Sequence, residues 1–175
     1  LNQGMPVNAE RNFRKAVDLE GPGGPASEYL TQVLVQTQRG HEVPPLWKSA
    51  VDRQPKNGDV RARYAMALLH TGQPDAAEKV FEEALVESED TLPVKRFFAP
   101  FLVQKKDLDR AMDFYEDCID AQPTDIQLLM EYAQTLKEAE RDFEIPAVLQ
   151  NVLACNPDPD TRAQTMAWLI GLEQP

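Results

Sequence analysis

Apolar side chains recur along this chain every three to four residues, the spacing that places them on one face of an α-helix. A longer period of 34 residues is superposed on this pattern. Three columns of the longer period keep their residue type, and they hold Tyr64, Phe98 and Tyr132, then Ala65, Ala99 and Ala133, then Leu68, Leu102 and Leu136. A fixed period of this length indicates a stack of similar helical units, each burying its apolar face against the next.

The second half of each period predicts a second helix, so that every period contains a helix A and a helix B, with B helices at 74–88 and 108–121 among others. Its columns hold Ala77, Ala111 and Ile145, then Phe81, Tyr115 and Leu149, then Ala84, Cys118 and Val152. Gly72 suits the end of one helix A, and Pro74 suits the first turn of the helix B that follows. Asp107 and Asp125 stand where helix N-caps are expected.

One register without insertions accommodates the chain from about residue 9 to residue 170, and it predicts a single all-α domain of about ten helices over residues 1–175. The domain divides into a half repeat with helix B only, four full repeats and a terminal helix, over residues 1–21, 22–57, 58–91, 92–125, 126–159 and 160–175. Pro100 lies inside helix A of the third full repeat, where it should kink that helix. The alternative is that this helix begins later.

These columns resemble the tetratricopeptide repeat family, whose repeats of this length form two antiparallel helices. That family places Ala early in its second helix, then an aromatic residue, a further Ala and a Pro at the repeat end. Ala111, Tyr115 and Pro123 match this pattern, with Cys118 in place of the second Ala. The family's usual Trp and Gly of the first helix are absent, so the repeats are degenerate. The resemblance covers nearly the whole chain and implies a right-handed α-solenoid of antiparallel helix pairs.

The resemblance also implies where a partner would bind, because the A helices of this family line a concave groove that holds a partner peptide. The corresponding columns give a candidate partner-binding surface of Gln32, Val35, Ala62, Met66, Leu69, His70, Arg96, Val103, Met130, Gln134, Lys137 and Trp168. Methionine side chains adapt to varied partners, which suits such a surface. The alternative is that these side chains pack between neighbouring A helices.

Chaperone adaptors of the family clamp a C-terminal carboxylate with basic side chains at fixed groove columns. In this chain those columns hold Glu28, Gln32, Arg63, Pro93 and Phe97. The basic clamp is missing, so we do not expect this protein to bind chaperone tails.

The formal net charge is −11, and residues 58–175 carry most of it, with eleven Lys and Arg against twenty-three Asp and Glu. An acidic chain repels phosphate backbones and anionic lipids, so neither nucleic acid nor a membrane surface is an expected partner. No apolar stretch approaches the roughly 20 residues of a membrane-spanning helix. The acidic side chains, mostly on the outer faces of B helices, either keep the protein soluble or dock a basic partner.

The residue types that carry most enzyme chemistry are sparse and scattered. His41 and His70 lie at no helical metal-ligand spacing from each other or from a Cys, and Cys118 fills a column that the repeat buries. The loop at 21–25 has prolines where a phosphate-binding loop needs amide donors. We therefore expect a protein that is not an enzyme and that uses no metal and no cofactor.

The expected function is that of a scaffold that binds a protein or peptide. Apolar residues in the first and last helices, such as Phe13 and Trp168, also suggest a segment of a longer repeat protein, or homo-association through uncapped solenoid ends. The alternatives are a structural, self-associating spacer and a regulatory domain of a larger assembly or exopolysaccharide-export protein. We expect a bacterial source, with cytoplasm and periplasm both open as compartments.

Overall fold

The structure, a computed structural model, describes residues 4–172 and the side chains of residues 8–172. Its helices are α1 Gly4–Glu20, α2 Pro25–Gln36, α3 Val43–Arg53, α4 Gly58–His70, α5 Pro74–Glu87, α6 Leu92–Lys105, α7 Leu108–Ala121, α8 Ile126–Glu138, α9 Ile145–Ala154 and α10 Pro159–Leu172. A short 3-10 turn at Gly40–Glu42 precedes α3. Across residues 4–172 every regular element is helical, so the predicted all-α class with about ten helices is confirmed.

The chain forms two compact units, and the boundary between Phe97 and Phe98 falls inside α6. In unit 1, α1 packs on α2, α2 on α3, α3 on α4 and α4 on α5. In unit 2, α7 packs on α8, α8 on α9 and α9 on α10. Each unit is therefore built from contacts between successive helices, as a repeat pattern requires. The expected division into repeats within one domain over residues 1–175 stays a prediction.

The columns of the 34-residue period form the core. The alanine column is fully buried, since Ala65, Ala99 and Ala133 each have 0% of their surface exposed. The leucine column is buried as well, and so is the aromatic or large aliphatic column of the B helices, which holds Trp47, Phe81, Tyr115 and Leu149. Small side chains at the alanine column let two helices approach closely, and a larger side chain there would overpack the contact.

The turns between helix A and helix B repeat one backbone geometry. One or two residues after the ends of α2, α4, α6 and α8 the backbone has a positive φ, and the four such residues, spaced 34 positions apart, are Gln38, Gly72, Lys106 and Glu140. The next backbone N–H bonds back to a buried leucine carbonyl at 2.7–3.0 Å, and the four pairs are Arg39 to Leu34, Gln73 to Leu68, Asp107 to Leu102 and Arg141 to Leu136. This is the Schellman arrangement of helix C-termini. It satisfies carbonyls that the end of each helix would otherwise leave open.

Several of the B-to-A turns end in side-chain caps, and before α10 the side chain of Asp158 accepts a hydrogen bond from the backbone N–H of Thr161. The side chain of Asn57 accepts a hydrogen bond from the backbone N–H of Val60, and Asp125 accepts one from Leu128. Asp107 occupies the N-cap of α7, but its side chain makes no capping bond, so only its position was predicted correctly. Because α6 begins at Leu92, the alternative that this helix begins later is wrong.

Candidate functional site

Two adjoining cavities lie between α2 and α4 of unit 1. The inner cavity, of about 210 Å³, is lined by Glu28, Thr31, Gln32, Val43, Trp47, Arg63, Met66, Ala67, His70 and Phe97. The outer cavity, of about 550 Å³, is lined by Thr31, Gln32, Val35, Gln36, Gln38, Gly40, Val43 and His70. Four residues line both cavities, namely Thr31, Gln32, Val43 and His70. Together the cavities form one continuous depression, which we call the α2–α4 groove.

Arg63 lines the inner cavity, and its guanidinium group makes cation–π contacts with two aromatic rings. Its Cζ lies 5.5 Å from the ring centroid of Trp47 and 5.9 Å from that of Phe97. Its Nε donates a hydrogen bond to Asp59 at 2.7 Å, and its Nη2 lies 3.2 Å from Glu28. Cation–π contacts and ion pairs together fix the orientation of the guanidinium group and neutralise its charge within the chain.

Trp47 lines the inner cavity. Only 2% of its surface is exposed, and its indole N–H donates to the hydroxyl of Thr31 at 2.9 Å. The Thr31 hydroxyl in turn donates to the backbone carbonyl of Ser27 at 2.8 Å. These buried polar groups are satisfied internally, as burial requires. Trp47 therefore leaves no polar group in need of a partner.

The outer cavity is uncharged, although the protein as a whole carries a net charge of −11. No carboxylate, ammonium or guanidinium group is among the residues that line it. Val35 exposes 52% of its surface, and Gln32, Gln36 and His70 are also exposed along its walls. The cavity thus combines apolar surface with amide and imidazole groups that can hydrogen-bond a ligand.

Unit 2 brings four of the predicted surface residues onto neighbouring positions of α8 and α10. The Nζ of Lys137 lies 5.8 Å from the ring centroid of Trp168, and the Thr165 hydroxyl lies 3.9 Å from the sulfur of Met130. Gln134 is exposed one helical turn from Met130. Among the described residues, the buried indole nitrogen of Trp168 has no hydrogen-bond partner.

The other predicted surface residues are buried or half-buried, and they do not line the α2–α4 groove. Ala62 has 0% of its surface exposed and cannot contact a partner in this structure, so its assignment to the groove is corrected. Ala62 is buried because its methyl side chain is short and because α4 packs against both α3 and α5. Leu69, Arg96 and Val103 are half-buried. Leu69 and Arg96 lie in unit 1 but are not among the residues that line the α2–α4 groove.

Among the residues that the structure adds to the groove, three were given another role by the sequence pattern, namely Trp47, Arg63 and Phe97. The sequence pattern assigns Trp47 to a buried column, and it assigns Arg63 and Phe97 to the columns of an absent carboxylate clamp. Their common cavity depends on side-chain directions, which residue spacing alone does not specify. The useful signal in the sequence is that Arg63 and Phe97 are exactly one 34-residue period apart in the same column.

Neither a metal site nor a membrane span is found in the described part of the chain. Between residues 4 and 172, no group of three or more His, Cys, Asp and Glu side chains could hold a metal ion. No helix in this range is both long and apolar enough to cross a bilayer.

Comparison with known sequences matches two tetratricopeptide repeat models to this chain, one at residues 45–95 and one at residues 101–125. Among curated proteins, the antiviral innate immune response effector IFIT1 of Macaca fascicularis is 31% identical over 81 residues. The human protein of the same name gives the same identity over the same length. The match covers 46% of this chain, and the chain spans only 17% of the length of either relative.

Solved structures of tetratricopeptide repeat proteins have the same fold. YrrB, a TPR protein with an unusual peptide-binding site, superposes with a TM-score of 0.63 at 18% identity, over 94% of this chain and 84% of YrrB. MamA gives a TM-score of 0.65 at 13% identity, over 93% of each chain. The human IFIT1 dimer with PPP-AAAA gives 0.61 at 18% identity, over 91% of this chain and 38% of IFIT1. At these identities the likeness concerns the fold alone, and it confirms the predicted solenoid of helix pairs.

Proposed function

Because this chain belongs to the tetratricopeptide repeat family, we propose that it is a non-catalytic scaffold whose α2–α4 groove binds a segment of a partner polypeptide. The observation that carries the proposal is the groove itself, an open depression of about 550 Å³ that adjoins a second cavity of about 210 Å³. Concave surfaces that combine apolar side chains with a few polar groups are typical of binding sites.

A polypeptide fits this site better than a nucleic acid. The human IFIT1 dimer has been solved with PPP-AAAA, whereas the one guanidinium group among the residues lining this groove, that of Arg63, already contacts Glu28 and Asp59. A phosphate group entering here would meet two carboxylates and the field of a chain with net charge −11. YrrB, which has the same fold, is described as having a peptide-binding site.

Four further predicted surface residues belong to this proposal as a second contact region in unit 2. Met130, Gln134, Lys137 and Trp168 present apolar, amide and ammonium groups on α8 and α10. The α2–α4 groove is the stronger candidate, because it has a defined volume and lining.

One observation favours the alternative of a self-associating spacer. Met166 and Ile170 on α10 expose 50% and 55% of their surfaces, one helical turn apart. An exposed apolar pair of this kind can seat a second copy. In that case the mass in solution would rise with protein concentration, while a constant monomer mass would exclude this alternative.

A matched pair of valine substitutions tests the groove. Val35 lies in the outer cavity and Val86 lies on α5, and both are exposed, at 52% and 85%. Peptides selected from a displayed random library against the full chain would be measured with wild type, Val35→Glu and Val86→Glu by fluorescence anisotropy. Val35→Glu should weaken binding at least about tenfold, because it places a charge against an apolar contact. Val86→Glu should change the affinity less than about twofold.

A second groove variant, Met66→Glu, tests the inner cavity in the same assay. Circular dichroism of each variant reports whether the helices are intact. The proposal is wrong if Val35→Glu and Met66→Glu, both folded, bind the selected peptides as tightly as wild type does.

A further inference from the structure

The absence of charge in the outer cavity bears on which partner it can hold. Its walls consist of valine, threonine, glycine, glutamine and histidine. A charged side chain that enters such a site loses hydration and gains no counterion, which is unfavourable. An uncharged segment does not meet this penalty.

The charges beside the inner cavity do not favour a charged partner, because they are already paired within the chain. The guanidinium group of Arg63 is bonded to Asp59 at 2.7 Å and lies 3.2 Å from Glu28, and its Cζ lies 5.5 Å and 5.9 Å from the ring centroids of Trp47 and Phe97. An acidic partner group would have to displace a carboxylate that the fold itself supplies. A basic partner group would have to draw Glu28 away from Arg63.

The amide side chains of the groove are available for hydrogen bonds. Gln32, Gln36 and Gln38 line the outer cavity. Among the described hydrogen bonds, none involves the side chain of Gln32, Gln36, Gln38 or His70. Each glutamine can both donate to and accept from the backbone or the amide and hydroxyl side chains of a bound segment.

The inner cavity supplies a place for one apolar anchor. Its lining includes Val43, Trp47, Met66 and Phe97. Apolar cavities of about 150 Å³ are already large enough to accept benzene, and this cavity measures about 210 Å³. One large aliphatic or aromatic side chain therefore fits, and the adaptable Met66 can adjust to its shape.

We propose that the α2–α4 groove selects an uncharged polypeptide segment in which Gln, Asn, Ser or Thr residues flank one large apolar residue. The apolar residue occupies the inner cavity, and the flanking residues bond the glutamines of the outer cavity. This specificity rests on the proposed function. The net negative charge of the chain attracts basic segments at long range, but the groove has no free carboxylate to pair with them. That attraction therefore raises the rate of association more than it stabilises the complex.

Matched peptide sets test the specificity. Three synthetic sets would share the same apolar anchor and differ only in flanks of Gln, Ser and Thr, of Lys and Arg, or of Asp and Glu. A fourth set would keep the neutral flanks but replace the anchor by Ala. The full chain should bind the neutral, anchored set at least about tenfold more tightly than the other three. That affinity should change less than about twofold between about 0.05 and 0.5 M NaCl, because no ion pair forms on binding.

A substitution at Gln32 should shift the preference in a defined direction. Gln32→Lys places an ammonium group at a position that lines both cavities. The variant should prefer the acidic peptide set, and its binding should weaken as the salt concentration rises. Gln32→Asn, the matched control, should keep the neutral preference.

The outcomes separate the specificity from the binding function. If wild type prefers a charged set, with salt-sensitive binding that Val35→Glu abolishes, the groove binds peptides but the inferred specificity is wrong. If no set binds, or if all bind Val35→Glu as tightly as wild type, the proposed function and the specificity are both wrong.

Discussion

At the residue scale, the turns after the A helices show a backbone requirement that only one repeat meets with glycine. Gln38, Lys106 and Glu140 have φ of 60°, 64° and 58°, in the left-handed region where Gly72 has 74°. A side chain in this region is unfavourable by roughly 1–2 kcal/mol. The buried leucine carbonyl bonded by the next residue keeps the geometry in place. Three of the four turns therefore retain strain that glycine would relieve.

Two glycine substitutions of opposite sense test this strain. Glu140→Gly should raise the free energy of unfolding by about 1 kcal/mol, because glycine adopts a positive φ at no steric cost. Gly72→Ala should lower it by about the same amount, since a Cβ added there meets nothing within 4 Å and only the backbone is affected. Urea denaturation followed by circular dichroism measures both. Glu140→Ala controls for loss of the charge. If Glu140→Ala raised the free energy of unfolding as much as Glu140→Gly does, backbone strain would not be the cause.

At the element scale, α1 is tied to unit 1 by apolar contacts and by a ring of four charges. Phe13 and Val17 pack against the core that contains Leu30, Leu34 and Trp47. In the ring, Arg14 and Arg39 each contact both Glu10 and Glu42, at distances of 2.6–2.9 Å. The ring links α1 to the turn between α2 and α3. A network of this kind fixes the position of α1 better than an isolated exposed ion pair would.

Acid should release α1 before the rest of unit 1. Hydrogen bonds from Arg39 and Arg14 lower the pKa of Glu42 from 4.5 to about 2, and Arg14 and Arg39 also lower the pKa of Glu10. Because both pKa values are depressed in the folded state, their contribution to stability is complete above about pH 4.5 and is lost as pH falls toward about 2.

Hydrogen exchange detected by mass spectrometry can follow this release peptide by peptide. Amides of α1 should lose protection at a higher pH than those of α4, and Glu42→Gln should weaken the protection of α1 already at neutral pH. Lys48→Gln, at the exposed pair with Asp52, serves as control. Equal loss of protection in α1 and α4 on acidification would show that the ring does not hold α1.

At the scale of the whole molecule, the charge is distributed unevenly over a repetitive fold. Residues 58–175 have twelve more acidic than basic side chains, from twenty-three Asp and Glu against eleven Lys and Arg. α7 contributes several of them, namely Asp109, Asp113, Glu116, Asp117 and Asp120. Exposed ion pairs contribute little each. Repulsion among the excess carboxylates therefore outweighs the pairs and lowers the stability of the folded chain.

Sodium chloride should accordingly stabilise the protein. Raising its concentration from about 0.05 to 0.5 M shortens the Debye length and should raise the thermal midpoint by a few degrees. Asp113→Asn combined with Asp120→Asn removes two of the like charges and should reduce this gain. Thermal unfolding followed by circular dichroism measures both proteins, and a midpoint that falls with salt would show that ion pairs dominate instead.

The sequence by itself determined the helices, their order and their repeating core. The B helices expected at 74–88 and 108–121 are observed as Pro74–Glu87 and Leu108–Ala121. This succeeds because the apolar spacing within a helix and the period between repeats are both written directly in residue order.

Only the tertiary structure decided which of the predicted surface residues share a cavity. It buries Ala62, places Gln32, Val35, Met66 and His70 around one groove, and adds Trp47, Arg63 and Phe97 to it. The physical reason is that Arg63 takes its orientation from rings on α3 and α6 and from Glu28 on α2. Side-chain directions set by neighbours on three other helices cannot be obtained from the spacing of residues along one.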